Sequence, residues 1–215
     1  LSCYKYHKVE FNKIIRGANR AVSDLNEIYE ILDAGFMCHI SFISEGQPMM
    51  IPTSYGRKDD YLYIHGSSKN FMMLQILDGQ TICIGVTNLD GLVLARTLFD
   101  TGVNYRSVVA FGKPELVEDH ESKIEGLKII TDNVIKGRWE EVPVGEQNEL
   151  KATMVIRIKM EKISAKVRTG GPLGDEDKTN EVWSGHIPLQ TSVLEPIQDM
   201  KFGIKLNPTP SVINY

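Results

Sequence analysis

Between Phe36 and His65 three runs of β-favouring residues follow one another with only short turns between them. Residues 36–43 end at Glu45-Gly46-Gln47-Pro48, and residues 49–55 end at Arg57-Lys58-Asp59-Asp60. Residues 61–65 form the third run, with tyrosines at period two. Links this short join antiparallel strands, since a parallel crossover needs about a dozen residues or more. The pattern favours a closed or half-closed β-barrel over a doubly wound sheet, because a barrel hides its own edges.

The rest of the chain extends that reading. Residues 81–87 and 92–98 read as two strands joined by Asn88-Leu89-Asp90-Gly91. Residues 105–117 read as one long strand bent at Gly112-Lys113-Pro114, and residues 152–160 and 162–168 as a last pair. Helices are inserted between them. The first covers residues 23–35, capped by Ser23, with Leu25, Ile28, Ile31 and Leu32 at helical spacing and Gly35 as the stop. A second covers residues 67–77, with Phe71, Leu74, Ile76 and Leu77 as its apolar set. A third starts at Asp119, carries Ile124, Leu127, Ile130 and Val134, and stops at Gly137. The fold class is mainly β with inserted helices. Residues 1–168 form the barrel domain. Residues 169–215 hold five of the nine prolines and read as an extended arm, packed on the barrel or on a partner subunit.

Composition excludes several function classes. With 24 basic and 28 acidic side chains in 215 residues, the net charge of −4 gives no global field for nucleic acid. Lys5 and Lys8 flank Tyr6 but make no single-strand channel. No run approaches the roughly 20 apolar residues that cross a bilayer, and the opening residues do not resemble a signal-peptide core. Cys3, Cys38 and Cys83 are widely spaced, and the pair Cys3 and His7 is at most half a zinc site, so no metal site is expected. Reduced thiols in a cytoplasmic protein are the expectation. Cys38 and His39 are adjacent on a strand, so they face opposite sides and cannot chelate together. Asp59-Asp60 and Asp175-Glu176-Asp177 read as solvated loop carboxylates. No spacing supports a Ser-His-Asp triad.

Three segments could carry chemistry. His65-Gly66-Ser67-Ser68-Lys69-Asn70 lies where a strand meets a helix, and backbone N–H groups, hydroxyls and one cation at a helix start suit a phosphate. The same residues also suit a plain serine cap. Asn104-Tyr105-Arg106-Ser107 opens the long strand, where Arg106 could fork onto a phosphate or make a surface ion pair. Met49-Met50-Ile51-Pro52-Thr53-Ser54-Tyr55 is a strand whose proline points to a sheet edge or a bulge. Polarizable Met and free edge groups suit a flat heterocycle, although core Met and Ile fit the pattern as well.

Taken in order, these and other segments resemble the flavin-nucleotide-binding branch of the pyridoxamine 5'-phosphate oxidase-like split β-barrels, closest to the nitroimidazole-resistance (Nim) type. The resemblance rests on Ile51-Pro52-Thr53-Ser54-Tyr55-Gly56, Tyr63-Ile64-His65-Gly66-Ser67, and Asp90-Gly91-Leu92-Val93-Leu94-Ala95-Arg96. It continues through Asn104-Tyr105-Arg106-Ser107-Val108-Val109 with Gly112, then Ile163-Ser164-Ala165-Lys166-Val167-Arg168-Thr169-Gly170. The series ends with Trp183-Ser184-Gly185-His186-Ile187-Pro188-Leu189.

The resemblance implies a homodimer of split barrels with FMN at the subunit interface. It places Met50, Ile51, Pro52, Thr53, Ser54 and Tyr55 along the isoalloxazine. Gly66, Ser67, Lys69 and Asn70 fall at the phosphate, with Tyr105, Arg106 and Ser107 as helpers. Arg168 and Trp183 reach the flavin of the other subunit. His65 matches the family's histidine near the flavin and is the candidate catalytic proton donor. The arm lacks the arginine-rich substrate segment of pyridoxamine phosphate oxidase, so that substrate is not expected. The implied activity is an FMN-dependent oxidoreductase, taking electrons from NAD(P)H or another donor and reducing a small, nitroaromatic-type acceptor. The competing reading is a non-catalytic split barrel that binds flavin or haem, with His65, His120 or His186 offered as the axial ligand.

Overall fold

The computed structural model describes residues 12–174, 181–201 and 203–215. Cys3, Lys5, Tyr6, His7, Lys8 and the Asp175-Glu176-Asp177 run lie outside the described residues. In chain order the elements are β1 (Ala21–Val22), α1 (Leu25–Asp33), β2 (Met37–Ser44), β3 (Gln47–Ser54), β4 (Gly56–Lys58) and β5 (Tyr61–Ser67). They continue with α2 (Phe71–Ile76), β6 (Ile82–Leu94), β7 (Gly102–Gly112), β8 (Pro114–Leu116), α3 (His120–Val134) and α4 (Gln147–Ala152). The last are β9 (Thr153–Lys159), β10 (Lys162–Arg168), β11 (Gly185–Pro188) and α5 (Pro210–Ile213).

The strands build two antiparallel sheets. The large sheet runs β1-β10-β7-β6-β2-β3, with β11 added to β6, and the small one runs β4-β5-β9-β8. The chain steps between sheets four times: through α2 between β5 and β6, and at three tight corners, Tyr55 after β3, Lys113 after β7, and Met160-Glu161 after β9. These corners curl the two sheets around one core, and strict alternation fills it. On β2 Cys38, Ile40 and Phe42 are buried and His39 is exposed, and on β6 Ile82, Ile84 and Val86 point inward. Cys38 and His39 thus face opposite sides, and burial pushes the Cys38 thiol up to about 12. Each fully buried side chain of this size contributes about 1.5–3 kcal/mol.

Gly112 shows how closely the corners are drawn together. A Cβ there would lie 1.9 Å from the Lys159 carbonyl oxygen, so only glycine lets β7 turn over the end of β9. The β2–β3 hairpin turns on Glu45 and Gly46, both at positive φ (50° and 76°), which matches a two-residue turn between twisted strands.

Several elements differ from the sequence-based expectations. Asp24 rather than Ser23 caps α1, accepting from the N–H groups of Asn26 and Glu27, and Leu25 stays 54% exposed. The helix expected from Ser67 starts at Phe71, because Asn70 accepts from the Met73 N–H and ends the strand's reach. Its inward stripe is Met72, Met73 and Ile76, with Phe71 and Leu74 outside. The two strands expected at residues 81–87 and 92–98 are a single strand, β6, which ends at Leu94. Asp90 is an extra residue in the β6–β7 register, a bulge and not a turn. The long strand splits at Lys113 into β7 and β8, which belong to different sheets. The helix α3 ends at Val134, three residues before Gly137, and residues 147–152 form a helix that leads into the expected strand, which starts at Thr153 rather than Ala152.

Candidate functional site

The register assigns each predicted cofactor residue to a face. On the edge strand β3, Met50, Pro52 and Ser54 pair with Ser41, His39 and Met37, and point away from the core. Ile51 and Thr53 point toward it. Tyr55 is buried in the core, and its Oη donates to the Leu32 carbonyl. Burial raises its phenol pKa.

The same outward face continues across β2, β6, β7 and β10. Ser41 pairs with Cys83, which pairs with Phe111. His39 pairs with Gly85, which pairs with Val109. Thr87 pairs with Ser107, which pairs with Lys166. Met50 is 66% exposed, and the ideal Cβ position at Gly85 has no neighbour within 4 Å. The result is an open, mostly apolar platform with Ser107 and Lys166 at one end and the β3 edge at the other.

Arg106 sits at the β6 bulge. Its Nε donates to Asp90 Oδ2 at 2.9 Å and its Nη2 to Oδ1 at 2.8 Å, so the guanidinium meets a carboxylate two-point. That hydrogen-bonded pair raises the Arg106 pKa. Arg168 is 8% exposed, and only neutral groups face its donors. Nη1 donates to Asn104 Oδ1, and Nη2 to the Gly171 carbonyl at 3.2 Å. Tyr105 is opposite Arg168 on the neighbouring strand. Trp183 is 61% exposed, and its ring lies over Gly185, where β11 joins β6.

His65, Gly66 and Ser67 lie on β5 of the small sheet and Ser68 to Asn70 lead into α2, whereas Arg106 and Ser107 lie on β7 of the large sheet. Ser67 ends β5, and its Oγ accepts from the Lys69 N–H at 3.2 Å. Lys69 is exposed. The close neighbour of Gly66 is Met73, at 3.2 Å from an ideal Cβ.

His65 opens onto a cleft of about 310 Å³ between β5, α3 and the loop that follows it. Leu127, Trp139, Val142, Pro143, Val144 and Leu150 form much of the wall. His65 is exposed at the mouth of this cleft, and the partial burial the cleft gives the ring disfavours the charged form and lowers the pKa below 6.5. This loop carried no sequence signal beyond an apolar Val142-Pro143-Val144 run. His120 opens α3, shares a pocket with Glu118, Lys123 and Lys151, and is exposed. His186 is exposed on β11. Among the described residues no three metal-ligating side chains converge. No described helix is long and apolar enough to cross a membrane.

A family model described as pyridoxamine 5'-phosphate oxidase matches residues 24–167. Among solved structures, the flavocytochrome Anf3 from Azotobacter vinelandii is 34% identical, with 95% of each chain covered and a TM-score of 0.88. The FAD and haem binding protein from Mycobacterium smegmatis is 29% identical, covering 91% of this chain and 96% of its own, with a TM-score of 0.85. A 5-nitroimidazole antibiotic resistance protein from Bacteroides thetaiotaomicron shares the fold at 22% identity and a TM-score of 0.60, over 68% of this chain and 86% of its own. A search of curated proteins finds no match.

Proposed function

Because the chain belongs to the pyridoxamine 5'-phosphate oxidase family, we propose that it is a flavin-dependent redox protein that also holds haem in the cleft of His65. The observation that carries this reading is the likeness to a flavocytochrome over nearly the whole of both chains. When bound, a flavin takes up electrons as a pair and a haem iron passes them singly, so a protein holding both couples the two kinds of electron transfer.

The residues fit both groups. The platform offers a flavin ring the polarizable Met50, the flat strip around Gly85, and unpaired backbone groups along the β3 edge. Ser107 adds a hydroxyl, and Lys166 adds positive charge that favours an anionic partner. In the cleft, apolar side chains form much of the wall and His65 supplies one imidazole. Its pKa is shifted down by desolvation, toward the neutral ring whose nitrogen lone pair can ligate a metal. His65 opens onto this cleft from the small sheet and not onto the platform of the large one, and we therefore assign it to haem and not to flavin protonation.

The flavin is a nucleotide of either kind, FMN being the form the family resemblance implies. A second copy of the chain is the proposed cover for the platform and for the arm, where Leu194 and Ile197 are 81% and 97% exposed. A reduced nicotinamide is the proposed donor and a small molecule the acceptor. The nitroimidazole-resistance relative shares the fold alone and lends a nitroaromatic acceptor no further support.

The test is the visible spectrum of protein expressed with added haem precursor, followed by NADH or NADPH without air. Flavin bands and a Soret band are expected, with the flavin bands bleaching on reduction. His65→Ala should lose the Soret band and keep the flavin. A yellow wild-type protein that takes up no haem removes the haem assignment, and a protein that takes up neither group removes both.

A further inference from the structure

Arg16, Arg20 and Arg168 converge on a cavity of about 390 Å³, bordered also by Tyr105, Thr101 and Asp100. A second cavity of about 470 Å³ shares Arg16 and Arg20 and reaches Lys166. Four cations therefore line two adjoining cavities that share Arg16 and Arg20, taken together as one recess. Its carboxylate, Asp100, already accepts from Thr97 Oγ1 at 2.9 Å. No ion pair joins Arg16, Arg20 or Arg168 to a carboxylate among the described residues. Arg168 is nearly buried against neutral acceptors, and the nearby Arg20 charge, together with burial, lowers its pKa. Like charges held together without a counter-ion are costly, and an incoming anion relieves that cost.

We infer that this recess binds the diphosphate of a nucleotide. Guanidinium forks match phosphate oxygens two at a time, and several cations around one cavity suit more than a single negative charge. The recess adjoins the platform. Lys166 is paired with Ser107 and Arg168 with Tyr105, two residues or about 7 Å further along the same strands. Tyr105 gives a base or ribose an aromatic wall. The diphosphate is either that of FAD, whose ring would lie on the platform, or that of a reduced nicotinamide dinucleotide arriving to donate electrons. The site goes beyond the flavin-and-haem reading, which bears only on which of the two sources is right.

The experiment titrates the full chain with ADP, inorganic pyrophosphate and adenosine by calorimetry, in wild type and in Arg16→Gln/Arg20→Gln. ADP and pyrophosphate should bind wild type, adenosine should not, and the double variant should bind each diphosphate at least tenfold more weakly. Arg16→Lys/Arg20→Lys, which keeps the charge and loses the forks, should fall between. A Lys136→Gln/Lys205→Gln variant, with the same net charge, should bind like wild type. FAD as the source predicts that the arginine variant loses FAD and retains FMN. A nicotinamide source predicts equal retention of both flavins and a tenfold higher KM for the reduced donor at unchanged kcat. Equal binding of ADP by wild type and the arginine variant, or none by either once both have been freed of bound flavin, overturns the inference.

Discussion

Arg106 and Asp90 meet through two parallel hydrogen bonds of 2.9 and 2.8 Å at the bulge of β6. The extra residue in that strand carries the carboxylate to the arginine, so the guanidinium that could have forked onto a phosphate is already occupied. The pair is partly exposed, at 37% and 29% of the two side chains, so its net contribution is about 1 kcal/mol or less. Arg106→Gln and Asp90→Asn should each lower stability by that amount. A double-mutant cycle in urea should recover most of it as coupling between the two. Asp90→Asn should also release Arg106, and a gain in flavin retention in that variant is the sign that the freed fork can reach the cofactor.

His65 gives a pH signature. Its folded pKa lies below the 6.5 of an unfolded chain. The neutral ring then favours folding above pH 6.5, and that stability is lost as pH falls toward and through the folded value. Between pH 7.5 and 5.5 the apo protein should therefore lose more Tm than His65→Gln does. A two-dimensional NMR titration should find the imidazole midpoint below 6.5. Equal pH slopes in the two proteins would show that the ring pays no desolvation cost in the cleft.

Much of the barrel was legible because alternation reports directly on which face is buried. Cys38, Ile40 and Phe42 against His39 is such a case, as is Asp119, which caps α3 by accepting from the Ser122 N–H at 2.8 Å. Legibility failed where neighbouring residues compete for one role. Ser23 and Asp24 can both cap, as can Ser67 and Asn70, and tertiary packing decides between them. Asp90-Gly91 reads as a turn from local chemistry, yet long-range pairing with β7 carries the strand through it. Of the candidate site, the β3 edge and its proline could be read in advance. The arginine recess could not, because Arg16 and Arg168 are brought together by the pairing of β1 with β10 and not by any local pattern.

Two glycines should respond in opposite ways. Gly112→Ala drives a Cβ into the Lys159 carbonyl and should cost about 3 kcal/mol, the upper range for overpacking. For a chain of this length that is a Tm loss on the order of 10 °C. Gly85→Val meets open space on the platform and should change stability by no more than about 0.5 kcal/mol. It fills the flat strip offered to the flavin ring, so retention should fall about tenfold, equivalent to ~1.4 kcal/mol. Thermal melts and equilibrium dialysis separate the two effects. Normal flavin retention in Gly85→Val would move the ring off this face.

The end of the chain is fastened by one carboxylate. Glu141 accepts from the Ser211 N–H at 2.7 Å and from its hydroxyl at 2.5 Å, while Arg138 bridges to both Glu141 and Thr209. These donors hold the Glu141 pKa at about 2, against 4.5 for an ordinary glutamate. A depressed carboxylate pKa contributes stability that is complete above the ordinary value and disappears as pH falls through the folded one. Docking of α5 should therefore persist at pH 4 and fail near pH 2. Hydrogen exchange at the Val212 and Ile213 amides reads this locally, whatever the rest of the barrel does at that pH. Glu141→Gln should reproduce the acid state at neutral pH, raising exchange at those amides about tenfold and leaving the β6 and β7 amides unchanged. A glutamine keeps one acceptor for the Ser211 amide, so Glu141→Ala should loosen the segment further. Equal protection in all three proteins would show that packing, and not this carboxylate, fastens the segment.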